Sequence, residues 1–423
     1  MLDRPTPRDP GQLRPGPRPL PLHMAVEGWI LQVSCAGLLS SSAASPLSNP
    51  LLAPHLQIIR DQLQKLLPDL AAQNLPALDA GLIDAVAREA TARMDGFMRG
   101  VRAYQAHPFR RTLRAPPPVW KRGAATLIDY GGKGAPVVYV PSLINKAYIL
   151  DLAADRSLCR ASAASGLHSY LLDWGDPGPA ERTFTTTDYI DGVLIPALEE
   201  IKARTGQAPA LVGYCMGGTL ATSAAVLRPD LVSSLVLLAA PWDFHDGTAA
   251  SRVLLDLSRP VVEVILAAEG VASVDMLQAL FASLDPTLVG RKFRRFSELD
   301  PASEPARRFV ELEDWLNDGV PLAGPVAREV FFNWYGRNDP QAGHWRVGDV
   351  PIDPAQIHVR TLTFIPSQDR IVPPGAAQAL AKAIPRAQSL SVDLGHIGMV
   401  SAAAAPNAVY APLLAWLHNS AKA

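Results

Sequence analysis

From about residue 123 onward the chain alternates short apolar runs with longer amphipathic ones, and nothing else in it restricts the fold as strongly. "AATLIDYGG", "APVVYVPSL", "HSYLLDW", "PALVGYC", "SSLVLLAAP", "VRTLTFIPSQD" and "QSLSVDLG" carry the branched and aromatic residues of strands. Several are uninterrupted apolar, the signature of strands covered on both faces. Helical spacing predicts helices between them, over about 147–166, 188–204, 216–227, 375–384 and 404–420. Strands joined through helices make crossovers, so the expected class is α/β, a mostly parallel sheet with helices on both faces. One stretch breaks the rhythm: more than a hundred residues of largely helical pattern separate "APWDF" from "VRTLTF". Such an insertion stands above the carboxyl ends of the strands, where these sheets bind ligands, so residues of about 245–350 are expected to form a helical lid. A subdomain that only adds stability is the alternative.

Upstream, "MLDRPTPRDPGQLRPGPRPLPL" is too crowded with proline to hold a helix or a central strand, and residues 1–22 are expected to be a disordered arm. The apolar run that follows, "MAVEGWILQVSCAGLLSSSAAS", starts too late for a signal peptide and is interrupted by Glu27. It is also too short and polar to span a bilayer, so it is expected to be a packing helix, or one that docks on a partner or an apolar particle. Over 80–104, Ile83, Val86, Ala90, Met94, Phe97, Val101 and Tyr104 recur at steps of three and four, predicting an amphipathic helix that packs on the domain after it. "RAPPPVWKRG" reads as the linker between them. The expected plan is an arm to 22, a helical region over 23–120, and a catalytic domain over 121–423.

Charge and cysteine usage exclude several functions. A net charge of −1 over 423 residues offers no nucleic-acid surface. The three cysteines, Cys35, Cys159 and Cys215, show no CxxC spacing, and the nine histidines show no HxxxH or HExxH pairing, so neither a metal site nor a redox pair is expected. A reducing cytoplasm fits best.

Chemistry concentrates at "LVGYCMGGTL". A strand ends and a helix begins around "GYCMG", which has the G-x-S-x-G form of the nucleophile elbow of α/β hydrolases with Cys215 in the serine's place. Gly213 and Gly217 are expected where the tight turn leaves no room for a side chain. An inert core cysteine is the alternative, but a helix N-terminus also favours a thiolate. In this fold the acid and then the histidine follow the nucleophile, each past a strand end. "IPSQDRIVPP" supplies Asp369 and "VDLGHIGMV" supplies His396. Asp173, Asp176, Asp243, Asp246 and Asp393 compete as acids, and His107, His168, His245, His344, His358 and His418 as bases, from less suitable positions. An oxyanion hole needs two backbone N–H groups, expected from Met216 and from Ile144 in "VPSLINKAYILDL"; alternatively Asn145 and Lys146 only cap the next helix. Basic side chains in "GRKFRRF" are candidate phosphate contacts, with a solvated helix face as the simpler reading.

At these residues the chain resembles the polyhydroxyalkanoate synthases. The resemblance runs through "VPSLINKAYILDLAADRSL", "LLDWGDP", "DYIDGVLIPALEEI", "LVGYCMGGTLATSAAVLRPD", "APWDF", "EDWLNDGVPLAGP", "IPSQDRIVPP" and "GHIGMV", from about residue 120 to the end, and is closest to the short synthases that work with a second subunit. It implies an α/β-hydrolase fold and polymerisation of (R)-3-hydroxyacyl-coenzyme A with release of coenzyme A. The implied machinery is a Cys215 nucleophile, a His396 base, an Asp369 acid and a lid, with no cofactor besides the coenzyme A of the substrate. The implied partners are the growing polyester, a second copy, and a second synthase subunit or granule-associated protein. The N-terminal 120 residues fall outside the resemblance, and "VSAAAAP" follows the histidine where long synthases often carry asparagine-proline-proline. A polyester depolymerase, thioesterase or esterase on the same scaffold stays open, as does a non-catalytic binding protein.

Overall fold

The protein, seen as a computed structural model, is described over residues 14–39, 80–246 and 249–421. In chain order come helices α1 (Leu20–Leu39) and α2 (Ala80–Ala106), strands β1 (Pro118–Arg122), β2 (Ala125–Gly131) and β3 (Pro136–Val140), and helix α3 (Leu158–Ala164). Then follow β4 (His168–Asp173), α4 (Ile195–Thr205), β5 (Ala210–Tyr214), α5 (Met216–Leu227) and β6 (Ser234–Leu238). Helices α6 (Ala249–Glu269), α7 (Val274–Leu284), α8 (Leu288–Phe296) and α9 (Glu304–Asn317) fill the long gap before β7 (Arg360–Pro366), α10 (Pro374–Ala383), β8 (Gln388–Val392) and α11 (Ala411–Ser420).

The described residues divide into two compact units: the chain up to Pro108 together with Asp285–Arg307, and Phe109–Leu284 together with Arg308–Ala423. The second unit is built on an eight-stranded sheet in the order β1-β2-β4-β3-β5-β6-β7-β8. From β4 to β8 every pairing is parallel, and at one edge β2 alone runs against the rest, paired antiparallel with both β4 and β1. The period-2 alternation of a strand sends neighbouring side chains to opposite faces. Val138 and Val140 of β3 accordingly join one core with α4 and α5, while Val137 and Tyr139 join the other with α3 and α11. All four are fully buried, which is why this strand reads as an unbroken apolar run.

The strands expected from sequence all form, and β1 is an addition inside the segment read as linker. Its Pro118 stands at the first position of an edge strand, one of the few places where a strand tolerates a residue with no N–H. The helix expected over 147–166 forms only from Leu158. A 3-10 turn (Ala147–Leu150) and a two-stranded hairpin precede it, and Ser157 caps the new start by accepting from the Arg160 N–H at 3.0 Å. The reason is Asp151, buried and bonded by Arg160, Arg111 and the Tyr130 hydroxyl, which holds the chain out of helical register. The helix expected over 188–204 begins at Thr186 under a Thr185–Asp188 capping box and passes through a π-turn at Ile190–Leu194 before α4.

The first unit is a set of helices. Residues 1–13, most of the arm expected over 1–22, and residues 40–79 lie outside the described residues. Arg14 is buried, bonds the His107 carbonyl and stacks on Tyr104 at 5.8 Å. Helix α2 turns Ala90, Phe97, Val101 and Tyr104 inward as its spacing predicts; the side chain of Ile83 lies outside the described residues. Within this unit α1 and α8 pack on it, and α8 comes from the insertion between β6 and β7. Gly100 permits this, since a Cβ there would come closer than 3.0 Å to the Phe293 carbonyl. Phe293 then packs edge-on against Phe97 and Tyr104, at 6.2 and 5.7 Å between ring centres. No described helix is long and apolar enough to cross a membrane.

Candidate active site

Strand β5 ends at Tyr214, helix α5 begins at Met216, and Cys215 lies between them with φ 57° and ψ −133°. For a residue with a side chain this conformation costs on the order of 1–3 kcal/mol and must be enforced by what surrounds it. Two hydrogen bonds do so: the Cys215 N–H donates to Leu238 O at the end of β6 (2.9 Å), and the Gly218 N–H donates to Cys215 O (2.8 Å). The glycines are sterically required. A Cβ on Gly213 would collide with Gly218, and one on Gly217 with the carbonyls of Val140 and Pro141, all closer than 3.0 Å. The first turn of α5 is thus pressed against the exit of β3, as close backbone approach at an elbow demands. Cys215 is half-buried and touches both cores.

The loops after β7 and β8 are fastened to each other. The Ser367 N–H donates to Val392 O at 2.8 Å and the Gln368 N–H to Leu394 O at 3.1 Å. This places Asp369 opposite His396, with 2.6 Å between Asp369 Oδ2 and His396 Nδ1. Asp369 Oδ1 accepts from the Ile371 and Val372 N–H groups, 2.8 Å each, so the carboxylate cannot swing away. With Nδ1 engaged by Asp369, Nε2 is the ring nitrogen left free to face Cys215, which acts on the imidazole electrostatically. Burial would discharge the imidazole, but the electrostatic influence of Cys215 and of the Asp369 carboxylate outweighs it, and the His396 pKa is pushed up to about 10.

Several of the competing groups are occupied elsewhere. Asp393 accepts from Ser367 and Gln368, Asp173 from the Gly175 N–H, and Asp243 from Asn338 and the His245 N–H. His168 pairs with Asp129 at 3.0 Å, His107 bonds Pro301 O, and His245 faces the carbonyls of Tyr335 and Gly336.

The oxyanion donors fare differently. Met216 is the first residue of α5, so its N–H has no acceptor within the helix. The Ile144 N–H is directed at Ser142 Oγ, 3.1 Å away, within its own loop. That loop is pinned at both ends by indoles, Trp174 Nε1 donating to Pro141 O (2.9 Å) and Trp315 Nε1 to Lys146 O (2.8 Å). Lys146, the N-cap of the following turn, makes no capping bond with its side chain and pairs instead with Asp176. In "GRKFRRF", Arg291 pairs with Asp285 and Arg294 with the buried Glu27, both inside the first unit, so these two guanidinium groups already have acidic partners.

Two tyrosines enter the site that sequence reasoning passed over. The Tyr214 hydroxyl donates to His396 O at 3.2 Å, and its ring lies 5.3 Å from the imidazole, tilted by 30°. Tyr335, at the end of a π-helix (Glu329–Gly336) from the insertion, lies within electrostatic reach of Cys215 and Asp369, and burial pushes its phenol far up. Tyr214 adjoins the elbow and could have been suspected; nothing local marks Tyr335.

A parallel sheet with a strand-turn-helix elbow at its centre defines the α/β hydrolases, and the family model described as the alpha/beta hydrolase fold matches residues 135–403. Curated relatives narrow this. The chain is 29% identical over 290 residues to the poly(3-hydroxyalkanoate) polymerase subunit PhaC of Allochromatium vinosum, covering 67% of this chain and 81% of that one. It is 31% identical over 273 residues to the subunit of the same name from Synechocystis, covering 62% and 72%. With that from Haloferax mediterranei it shares 28% over 291 residues, spanning 66% of this chain and 59% of the relative. The chain belongs to the poly(3-hydroxyalkanoate) polymerase family, enzymes of the acyltransferase type.

Proposed function

We propose that this protein polymerises (R)-3-hydroxyacyl-coenzyme A into polyester through a covalent acyl-Cys215 intermediate. The observation that carries the reading is a cysteine at the strained elbow that acts electrostatically on a histidine whose Nδ1 Asp369 holds at 2.6 Å. In the first step Cys215 Sγ, whose proton His396 holds, attacks the thioester carbonyl. The carbon–sulfur bond to coenzyme A breaks, and the leaving thiolate takes that proton from His396. One thioester replaces another at nearly equal energy, so the acyl group stays activated where a serine would trap it as an ester. In the second step the hydroxyl of a hydroxyacyl unit attacks acyl-Cys215 and gives its proton to His396. The new ester bond forms, the bond to Sγ breaks, and sulfur leaves as a thiolate beside the reprotonated His396, which restores the starting pair. Asp369 keeps Nδ1 protonated and Nε2 aimed at sulfur.

The Met216 N–H is one oxyanion donor in this reading, and Ile144 becomes the second when a bound carbonyl displaces Ser142 Oγ. The helices between β6 and β7 act as the lid that admits the acyl-coenzyme A, and no cofactor is required. The names of the relatives, polymerase subunits, favour a working form with a second subunit, and association with further copies and with polyester granules in the cytoplasm follows from the same reading.

The test is incubation with 3-hydroxybutyryl-coenzyme A, alone and with the second subunit of a relative, following free thiol and the size of the acid-stable product. Thiol release with long polyester, abolished in Cys215→Ala, is the expected outcome. Free hydroxy acid as the sole product under both conditions would mean that water takes the acyl group, and the protein would be a thioesterase.

A further inference from the structure

We propose that Tyr214 is a positioning residue that ties the base to the nucleophile, its hydroxyl holding the backbone of His396 while its ring sets the plane of the imidazole. The proposal rests on the reading of Cys215 and His396 as nucleophile and base. Tyr214 immediately precedes Cys215 and sits opposite Leu238 in the middle of the sheet, so its own position is fixed by pairing. From there it reaches a carbonyl 182 positions further along the chain (3.2 Å). The two contacts on His396 divide the work: Asp369 sets the rotation of the ring through Nδ1, and Tyr214 sets the distance of its loop from the elbow.

The hydroxyl is well suited to this. Burial holds the Tyr214 pKa well above the ordinary phenol value, with Cys215, Asp369 and Tyr410 acting in the same direction, so it stays a donor throughout the working pH range. An aromatic ring at 5.3 Å also favours the charged imidazolium over the neutral ring. The ionisable groups facing His396 are Cys215, Asp369 and Tyr214; Tyr335 interacts with the first two, and Asp393 is turned to Ser367 and Gln368.

Tyr214→Phe keeps the ring and loses the hydroxyl, whereas Tyr214→Leu loses both. Alkylation of Cys215 by iodoacetamide across pH, read by intact mass, reports the thiol–imidazole pair whatever the enzyme does to an acyl group. Coenzyme A release from 3-hydroxybutyryl-coenzyme A reports turnover. In Tyr214→Phe, kcat should fall about tenfold with KM unchanged, below the roughly hundredfold that a 1 Å misplacement can cost. Its alkylation profile should keep the alkaline step at which the imidazolium loses its proton. In Tyr214→Leu that step should move toward neutral by about one pH unit. Wild-type kcat in Tyr214→Phe with a wild-type profile in Tyr214→Leu would overturn the proposal. So would a fall in kcat matched by an equal loss of titratable Cys215, since that is misfolding alone. Absence of coenzyme A release from the wild type would instead sink the acyl-transfer reading, and the alkylation profiles would still judge Tyr214.

Discussion

His396 is buried yet favours its proton, because the Asp369 carboxylate and Cys215 both act on it. The sign for stability follows from linkage. A folded-state pKa above the unfolded value of about 6.5 means the native state binds the proton more tightly. The contribution is complete below that value and disappears as pH rises toward about 10. The wild type should therefore lose thermal stability between neutral pH and pH 10, and His396→Gln should lose less over the same interval; parallel melting curves for the two would contradict the charge assignment. Asp369→Asn should keep the fold, since both amide contacts to Oδ1 survive, while reducing turnover by something on the order of 10³–10⁴-fold, as a wrongly held tautomer does in serine triads. A loss below tenfold would show that the acid is dispensable.

At the scale of elements, the elbow depends on two backbones that touch. Gly217→Ala would drive a methyl into Val140 O and Pro141 O, an overpacking cost of about 1–3 kcal/mol. A lower melting midpoint together with reduced Cys215 alkylation is the expected result. The elbow was legible because strand pattern, glycine spacing and helix pattern coincide within "LVGYCMGGTL", and Asp369 and His396 because each follows a strand end in the required order. Other parts were not. Strand β1 hides in a proline-rich segment because an edge strand needs neither full burial nor every N–H. The helix expected over 147–166 fails because Asp151 meets partners from other elements, Arg111 and Tyr130, which no local window contains. Tyr335 escaped notice for the same reason: it reaches the site from an insertion 120 positions after Cys215.

At the scale of the whole chain, the two units each close around their own contacts, and the first takes a helix from the middle of the sequence. Gly100→Ala is the direct probe, since its methyl would meet Phe293 O where α2 and α8 touch. Separation of those helices should expose the 285–307 segment to protease at concentrations that leave the wild type intact, with Cys215 still alkylated at the wild-type rate. Equal protease resistance would show that α8 is held by other means. The borrowed helix also bears on how the protein is made. Glu27 and Arg294, which pair at 2.8 Å, are separated by 267 positions. A ribosome extending the chain from its first residue finishes α1 and α2 long before α8 emerges, so the apolar face of Phe97, Val101 and Tyr104 has to wait for its cover while the first six strands of the sheet are being synthesised. Contacts of such long range form late and leave sticky surface uncovered in the interim. A nascent chain halted before residue 288 should accordingly engage chaperones through its earliest helices, and release should coincide with the appearance of "GRKFRRF" outside the exit tunnel.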